Sequence, residues 1–552
     1  MIPGLPPLVH LETVTSDGDS TVTLPASGNI ADHANFPAGS KHVVALYNAR
    51  MTSAGTDSYV LVRVNGDTGG NYDMQRVDGF GTSVAAYKET GIVGWSQIGA
   101  MTASDAATGI HTPGAIMVPH AFGTTGYLAM IGWSTNSSGP RIRFGAGAWE
   151  NTAAMTSISF VAAAGNFEGT FSLYVVDESY LVSGGEEILT GTSAFTNRSV
   201  PAQDGDISII NYLRSSRSST NDGIALDINT DTTESNYSNQ HLYAYGSTAG
   251  AGVNLWDNNQ VGGCNAANAD GNHFSGALTS VSAFNASAND PHVLGLAGHI
   301  SVSTADAWIS MVSMKRDNVA AVTSVNISPT VSSTFLAGSG QWVYAVPKSL
   351  ISRVTFTGTG TTASFDLTSL TIPAGTTHLR LNCYARSDRS AESAGIDIQF
   401  NGDTTNTNYN RQTLVGRSTT VAAAIETESN GRSGRIPAAS STANEFGSST
   451  TLIPWYASSS FRQQTAVFAG AETHADLGVR LIGGDWENTA AITSIAAICS
   501  NSANFVAGSI FELEAITHPS GWSGTVMGVA NPAKVMGVEK ENIGKVMGVE
   551  SA

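Results

Sequence analysis

The chain states the same pattern three times, so any fold it adopts must satisfy one set of local instructions in three places. Asn65-Gly66-Asp67-Thr68, followed by Asn71-Tyr72, returns as Asn401-Gly402-Asp403-Thr404 and Asn408-Tyr409, at an offset of 336 (401 − 65). Pro37-Ala38-Gly39 returns at the same offset as Pro373-Ala374-Gly375. Trp149-Glu150-Asn151-Thr152-Ala153-Ala154 returns as Trp486-Glu487-Asn488-Thr489-Ala490-Ala491, at 337 (486 − 149). A weaker middle copy carries Asn229-Thr230-Asp231-Thr232 and Asn236-Tyr237, at 164 (229 − 65), and closes with Asp317-Asn318-Val319-Ala320-Ala321. Units of roughly 165 residues are whole domains with their own cores. Solenoid modules are far shorter, at about 20–50 residues.

Within each copy the signals are those of strands. Val43 to Leu46, Tyr59 to Val64, Ile142 to Phe144 and Phe171 to Val176 are short and rich in β-branched or aromatic residues. Gly, Asn, Asp and Ser clusters separate such runs, and no long 3.6-residue apolar period is present. The expected fold is all-β: three tandem antiparallel β-sandwich domains, jelly-roll-like, spanning 1–182, 183–349 and 350–518. A C-terminal strand-forming tail, 519–552, follows them.

Only 13% of the 552 residues are charged, and the net charge is −18. A polar but weakly charged surface suits a chain whose faces are covered in an assembly, and equally a hydroxyl-rich β protein. Nucleic-acid binding is not expected, because displacing counterions from a polyanion takes Lys and Arg. Arg386, Arg389, Arg411 and Arg417 form a local basic cluster, read as a solvated loop face. Cys264, Cys383 and Cys499 are odd in number and absent from the first copy, which argues against a disulfide framework; Cys383 and Cys499 lie in strand-like runs and read as buried small hydrophobes. Met1 to Pro7 lacks the basic and apolar regions of a standard secretory signal. No apolar run reaches the ~18 residues of a membrane-spanning helix, so membrane insertion is not expected.

No catalytic constellation repeats with the scaffold. Asp67, Asp231 and Asp403 could contribute to Ca²⁺ sites with Asn71, Asn236 and Asn408. Calcium usually takes several carboxylates, and each turn offers one; turn formation is the favoured reading. Asn268 to Asn272 resembles half a calcium loop without its distal acid. The histidines show no zinc-ligand spacing, and His42 and His378 sit at strand heads. Glu150 and Glu487, with Asp317 in the middle copy, are read as turn residues rather than a glycosidase pair. Trp95, Trp133, Trp256, Trp342 and Trp455 differ between copies and would stack on sugars if exposed. The sequence thus implies no catalytic residue, no cofactor and no metal.

The tail repeats an apolar tetrapeptide: Val526-Met527-Gly528-Val529, Val535-Met536-Gly537-Val538 and Val546-Met547-Gly548-Val549. Val526, Met527, Val529, Val535, Met536, Val538, Val546, Met547 and Val549 are therefore candidate docking residues, adding strands to a sheet edge. Tandem domains with Asn-Gly-Asp-Thr-x-x-Asn-Tyr turns, low charge and Lys-Val-Met-Gly-Val-Glu tail repeats resemble virion structural proteins of tailed bacteriophages, of the head-decoration, fibre and tail-appendage type. That resemblance implies a non-enzymatic role in a homo-oligomer with other virion proteins, on a particle assembled in a host cytoplasm. A receptor- or glycan-binding fibre or adhesin, on an extracellular filament or cell surface, is the alternative. Three similar domains in one chain could also imitate a trimer around a pseudo-threefold axis.

Overall fold

A computed structural model describes residues 5–517, less 56, 106–109, 137–140, 202–204, 255–256, 270, 283–290, 300–306, 318–319, 332, 348, 406, 429, 442, 444, 460–462 and 471–477. Beyond 517 it describes four two-residue strands. Among the described residues the regular structure is β, with three short 3-10 turns and no α-helix. None of it forms a helix long and apolar enough to cross a membrane.

Three blocks of twelve strands follow one another, over residues 8–176, 181–347 and 350–517. Numbered within its block, each builds an eight-stranded sheet in the order first, twelfth, third, eighth, ninth, tenth, fifth, sixth. Each also builds a four-stranded sheet in the order second, eleventh, fourth, seventh. The order is identical in all three blocks; in the first, one parallel bridge between Arg50 and Thr102 also joins the two sheets. The other neighbours are antiparallel, and the two sheets of a block face each other across a buried core. Val60, Val62, Trp95 and Phe160 anchor the first core, Ile209, Leu226 and Ile327 the second, and Leu381, Ile396 and Phe511 the third. All three cysteines are buried, Cys264 in the second core and Cys383 and Cys499 in the third.

A fourth core lies outside the sandwiches and draws on all three repeats. Trp133 and Phe144 of the first, Leu242, Leu296 and Met311 of the second, and Leu414, Phe468 and Leu481 of the third pack in one cluster. Its existence explains a local feature of the sequence. A sandwich sheet with one wet face alternates apolar and polar residues, whereas a sheet covered on both faces does not. Every residue of the ninth strand of repeat 1, Leu128–Asn136, is buried, as is every residue of Trp308–Arg316 in repeat 2.

Candidate functional site: a closed ring of three repeats

The repeated turn is a clasp. Asn65, Asn229 and Asn401 adopt left-handed φ of 53°, 55° and 53°, which Asn tolerates because its short side chain bonds nearby backbone. The Asn65 side-chain oxygen accepts from Thr156 N and Oγ1 and from Ser157 N. Asn229 and Asn401 repeat the pattern on Thr323–Ser324 and Thr493–Ser494. Asp67 accepts from Asn71 and from Trp149 Nε1, both at 2.8 Å. Asp403 does so from Asn408 at 2.8 Å and Trp486 at 2.7 Å. Arg316 replaces the tryptophan in repeat 2 and reaches Asp231 at 3.1 Å. Burial pushes the Asp403 carboxyl up, but bonds from Asn408, Trp486 and Thr405 outweigh it and hold it well below the usual range. The carboxylate oxygens that the calcium alternative needs are thus engaged by N–H donors.

Beyond the clasp, the copied segment reaches a residue that motif matching leaves unnoticed. The pattern is Asn-Tyr-x-x-Gln in every repeat, ending at Gln75, Gln240 and Gln412. Each glutamine sits fourth on its fifth strand (Tyr72–Phe80, Tyr237–Tyr245, Tyr409–Arg417) and is buried. Each donates to the next repeat. Gln75 bonds Gly246 O at 2.8 Å, Gln240 bonds Ser418 O at 3.2 Å, and Gln412 bonds Gly81 O at 3.0 Å. The acceptors are equivalent too: each is the first residue after a fifth strand, at φ of 55°, 49° and 60° respectively. Repeat 1 thus bonds repeat 2, repeat 2 bonds repeat 3, and repeat 3 returns to repeat 1. A head-to-tail contact that closes after three steps is a cyclic arrangement, achieved here within one chain.

Sheet packing repeats the same closure. The tenth strand of each repeat lies against the ninth of the next, and the fifth and sixth strands of all three meet one another. Ala146 meets Gly298, Ser313 meets Gly470, and Gly483 meets Thr135. Ala146, Ser313 and Gly483 each stand three residues before the end of a tenth strand (Arg141–Trp149, Trp308–Arg316, Val479–Trp486). A Cβ built on the glycine would come within 2.0, 1.8 and 2.2 Å of its partner's side chain. Each contact therefore pairs a glycine with Ala, Ser or Thr, because two ordinary side chains do not fit.

The sequence candidates fall in different places. Trp95, Trp133 and Trp342 are fully buried, Trp455 is half-buried, and Trp256 lies outside the described residues. Stacking on a ligand is closed to the first three. His42 and His378 take up equivalent bonds, accepting from the backbone N–H of His120 and Trp455 at 3.0 and 3.1 Å. Arg386 does not join a solvated face; it is buried and donates to Glu445 O and Ser441 O. Arg417 ends its strand, exposed. Arg389 and Arg411 instead line a cavity of about 380 Å³ with Arg432, Arg435 and Arg480, between the two sheets of repeat 3. Arg432 pairs there with Asp397 at 2.9 Å. Val526 pairs with Val529 and Val535 with Val538, each within its own small hairpin. Met527, Met536, Val546, Met547 and Val549 lie outside the described residues.

The turn acids diverge. Glu487 accepts from Asn410 at 2.6 Å, Asp317 pairs with Lys315 at 2.5 Å, and Glu150 stands 3.2 Å from His273 of repeat 2.

No family model matches the chain, and no curated protein does. Solved structures give faint likenesses. A GH43 protein of Bacillus licheniformis is 8% identical, with 90% of this chain and 100% of that chain covered, at a TM-score of 0.11. A DUF3598-family protein of Nostoc punctiforme is 8% identical over 51% of this chain and 96% of its own, at 0.09. The translocator domain of the autotransporter NalP of Neisseria meningitidis is 8% identical over 81% and 90%, at 0.09. Scores of this size carry no argument about fold or function.

Proposed function

We propose that this chain is a non-enzymatic structural protein of a multi-subunit assembly, a surface, fibre or decoration component of a tailed-bacteriophage virion. The observation that carries the reading is the closed ring. Three repeats joined by equivalent contacts give one polypeptide the outline of a trimer, which fits a site of threefold symmetry without requiring three chains to meet. The covered faces also account for a surface with few charges. The tail supplies the joint to neighbouring copies: short strand pairs at Val526/Val529 and Val535/Val538, within two of its Val-Met-Gly-Val units, are able to add to a partner's sheet edge. Light scattering on the full chain and on a chain ending at residue 518 tests this. A defined oligomer for the first and a smaller species for the second is the expected result; monomers in both cases would refute the assembly role of the tail.

A second reading, a receptor- or glycan-binding module, is favoured by one feature, the arginine-lined cavity of repeat 3. Guanidinium groups suit carboxylate or sulfate oxygens, so the ligand would be an acidic saccharide. Binding of sulfated or sialylated glycans that is lost in Arg411→Ala and Arg480→Ala would support it. An array without acidic hits would remove it.

A further inference from the structure

At the junction of repeats 1 and 2, three ligand-type side chains converge. Asp73 is second on the strand Tyr72–Phe80, Glu150 follows the strand Arg141–Trp149, and His273 precedes the strand Ser275–Ser282 of repeat 2. Nε2 of His273 stands 3.2 Å from Oε1 of Glu150 and 3.8 Å from Oδ2 of Asp73. One donor atom from each of the three lies within 4.8 Å of the others. Tetrahedral donors about 2.1 Å from a zinc ion are about 3.4 Å apart, and the two measured separations bracket that value.

Asp73 and His273 are buried, and neither Oδ2 of Asp73 nor either ring nitrogen of His273 has a well-aligned hydrogen bond; Nε2 and Oδ2 have as polar neighbours only each other and the Glu150 carboxylate, at ion-pair distance. Buried polar atoms are almost always well partnered, so an oxygen and a nitrogen that face one point and find only each other and Glu150 require an explanation. The remaining Asp73 oxygen is fixed by the Gly91 N–H at 2.9 Å, and the His273 ring is steadied edge-on by Tyr127. Outer contacts of this kind orient metal ligands.

The internal symmetry supplies an independent observation. At the equivalent point between repeats 2 and 3, Asp317 replaces Glu150 and Glu445 replaces His273. Lys315 stands where repeat 1 has Ala148, and its ammonium reaches Asp317 at 2.5 Å and Glu445 at 3.3 Å. The second junction therefore holds a positive charge between facing carboxylates, while Ala148 brings none to the first.

We propose that Asp73, Glu150 and His273 bind a divalent first-row transition-metal ion, such as Zn²⁺, that ties repeat 1 to repeat 2 in the place the Lys315 ammonium takes between repeats 2 and 3. One imidazole and two carboxylates suit zinc, manganese, iron or cobalt, whereas calcium takes oxygen ligands alone. The inference does not depend on what the ring assembles with.

Co²⁺ is the probe of choice, since it reports its coordination in the visible spectrum. Titrating the full-length, chelator-treated chain should give about one tightly bound ion per chain, with ligand-field bands of a low-coordinate N/O site, displaced by Zn²⁺. His273→Ala and Glu150→Gln should weaken binding at least tenfold. Ala148→Lys, which imports the ammonium of the second junction, should abolish it in a chain that still folds. Absence of stoichiometric binding by the wild type would overturn the proposal. So would Ala148→Lys or Glu150→Gln chains that bind Co²⁺ as the wild type does.

Discussion

Gly298→Ala adds one methyl group and strikes at a single contact of the ring. Its Cβ would stand 2.0 Å from the Cβ of Ala146 and 3.1 Å from Cγ2 of Ile309. Carbon atoms rest about 3.5–4 Å apart, so the strands of repeats 1 and 2 would have to separate by about 1.5–2 Å at that point. Insertions into a packed core cost about 1–3 kcal/mol. Replacing glycine by alanine returns about 0.4–1 kcal/mol by restricting the unfolded chain. The net expectation is a loss of about 1–2 kcal/mol. Equilibrium urea unfolding, followed by tryptophan fluorescence, measures it. Gly191→Ala serves as control: nothing lies within 4 Å of its added Cβ, and it should be neutral or mildly stabilising. The decisive arm is the double mutant. Ala146→Gly vacates the space that the added methyl group needs, so the pair should be coupled favourably by about 1 kcal/mol or more. A fully additive pair, or a Gly298→Ala chain as stable as the control, would refute the close approach of these two repeats.

Three further outcomes follow from the same geometry. Gln75→Leu, Gln240→Leu and Gln412→Leu should each cost about 1–3 kcal/mol in chemical unfolding, because each strands a carbonyl of the neighbouring repeat; equal stability would remove the glutamine ring from the account. Trp149→Phe keeps the apolar body and deletes the N–H donated to Asp67, so a loss of about 0.5–1.5 kcal/mol is expected by thermal or urea unfolding. Acid should weaken the fold through His241, whose pKa burial lowers to about 3. Its folded pKa lies below the unfolded value of about 6.5, so the unfolded chain binds the extra proton and stability falls with pH below about 6.5. Between pH 6.5 and 4.5 the loss is about 2.7 kcal/mol at most, and His241→Gln should flatten that slope.

How much of this is legible in the sequence depends on how far each interaction reaches. The strand-rich repeats are visible because turn chemistry is local: Asn-x-Asp-Thr and the Asn-x-Ala-Ala turn mark chain reversals wherever they occur. The low charge suits a covered surface and hydroxyl-rich strands equally, and nothing in it says that the covering comes from the chain's own repeats. The fully buried Leu128–Asn136 is the clearest local trace of that second covered face. Gln75, Gln240 and Gln412 were in principle readable, as the fifth residue of Asn-Tyr-x-x-Gln in all three copies. Their partners lie one repeat away, at distances no local pattern encodes. The Asp73–Glu150–His273 cluster is less legible still. His273 belongs to another repeat and has no histidine counterpart in the others, so neither spacing nor repetition points to it. Glu150 reads in the sequence as a turn acid, and only the junction gives it companions. The basic cluster divides for a similar reason: Arg389 and Arg411 join a cavity formed by strands distant in sequence, while Arg386 satisfies carbonyls in its own repeat.

Closure of the ring is the claim on which the rest stands, and small-angle X-ray scattering of the chain ending at residue 518 tests it most directly. A compact particle of that length has a radius of gyration of about 24 Å. Three separate domains strung in a line, each with a radius of about 15 Å, would give roughly 35 Å. A value near the first, with the mass of one chain, is the result the closed ring predicts. A value near the second would show that repeat 3 does not return to repeat 1.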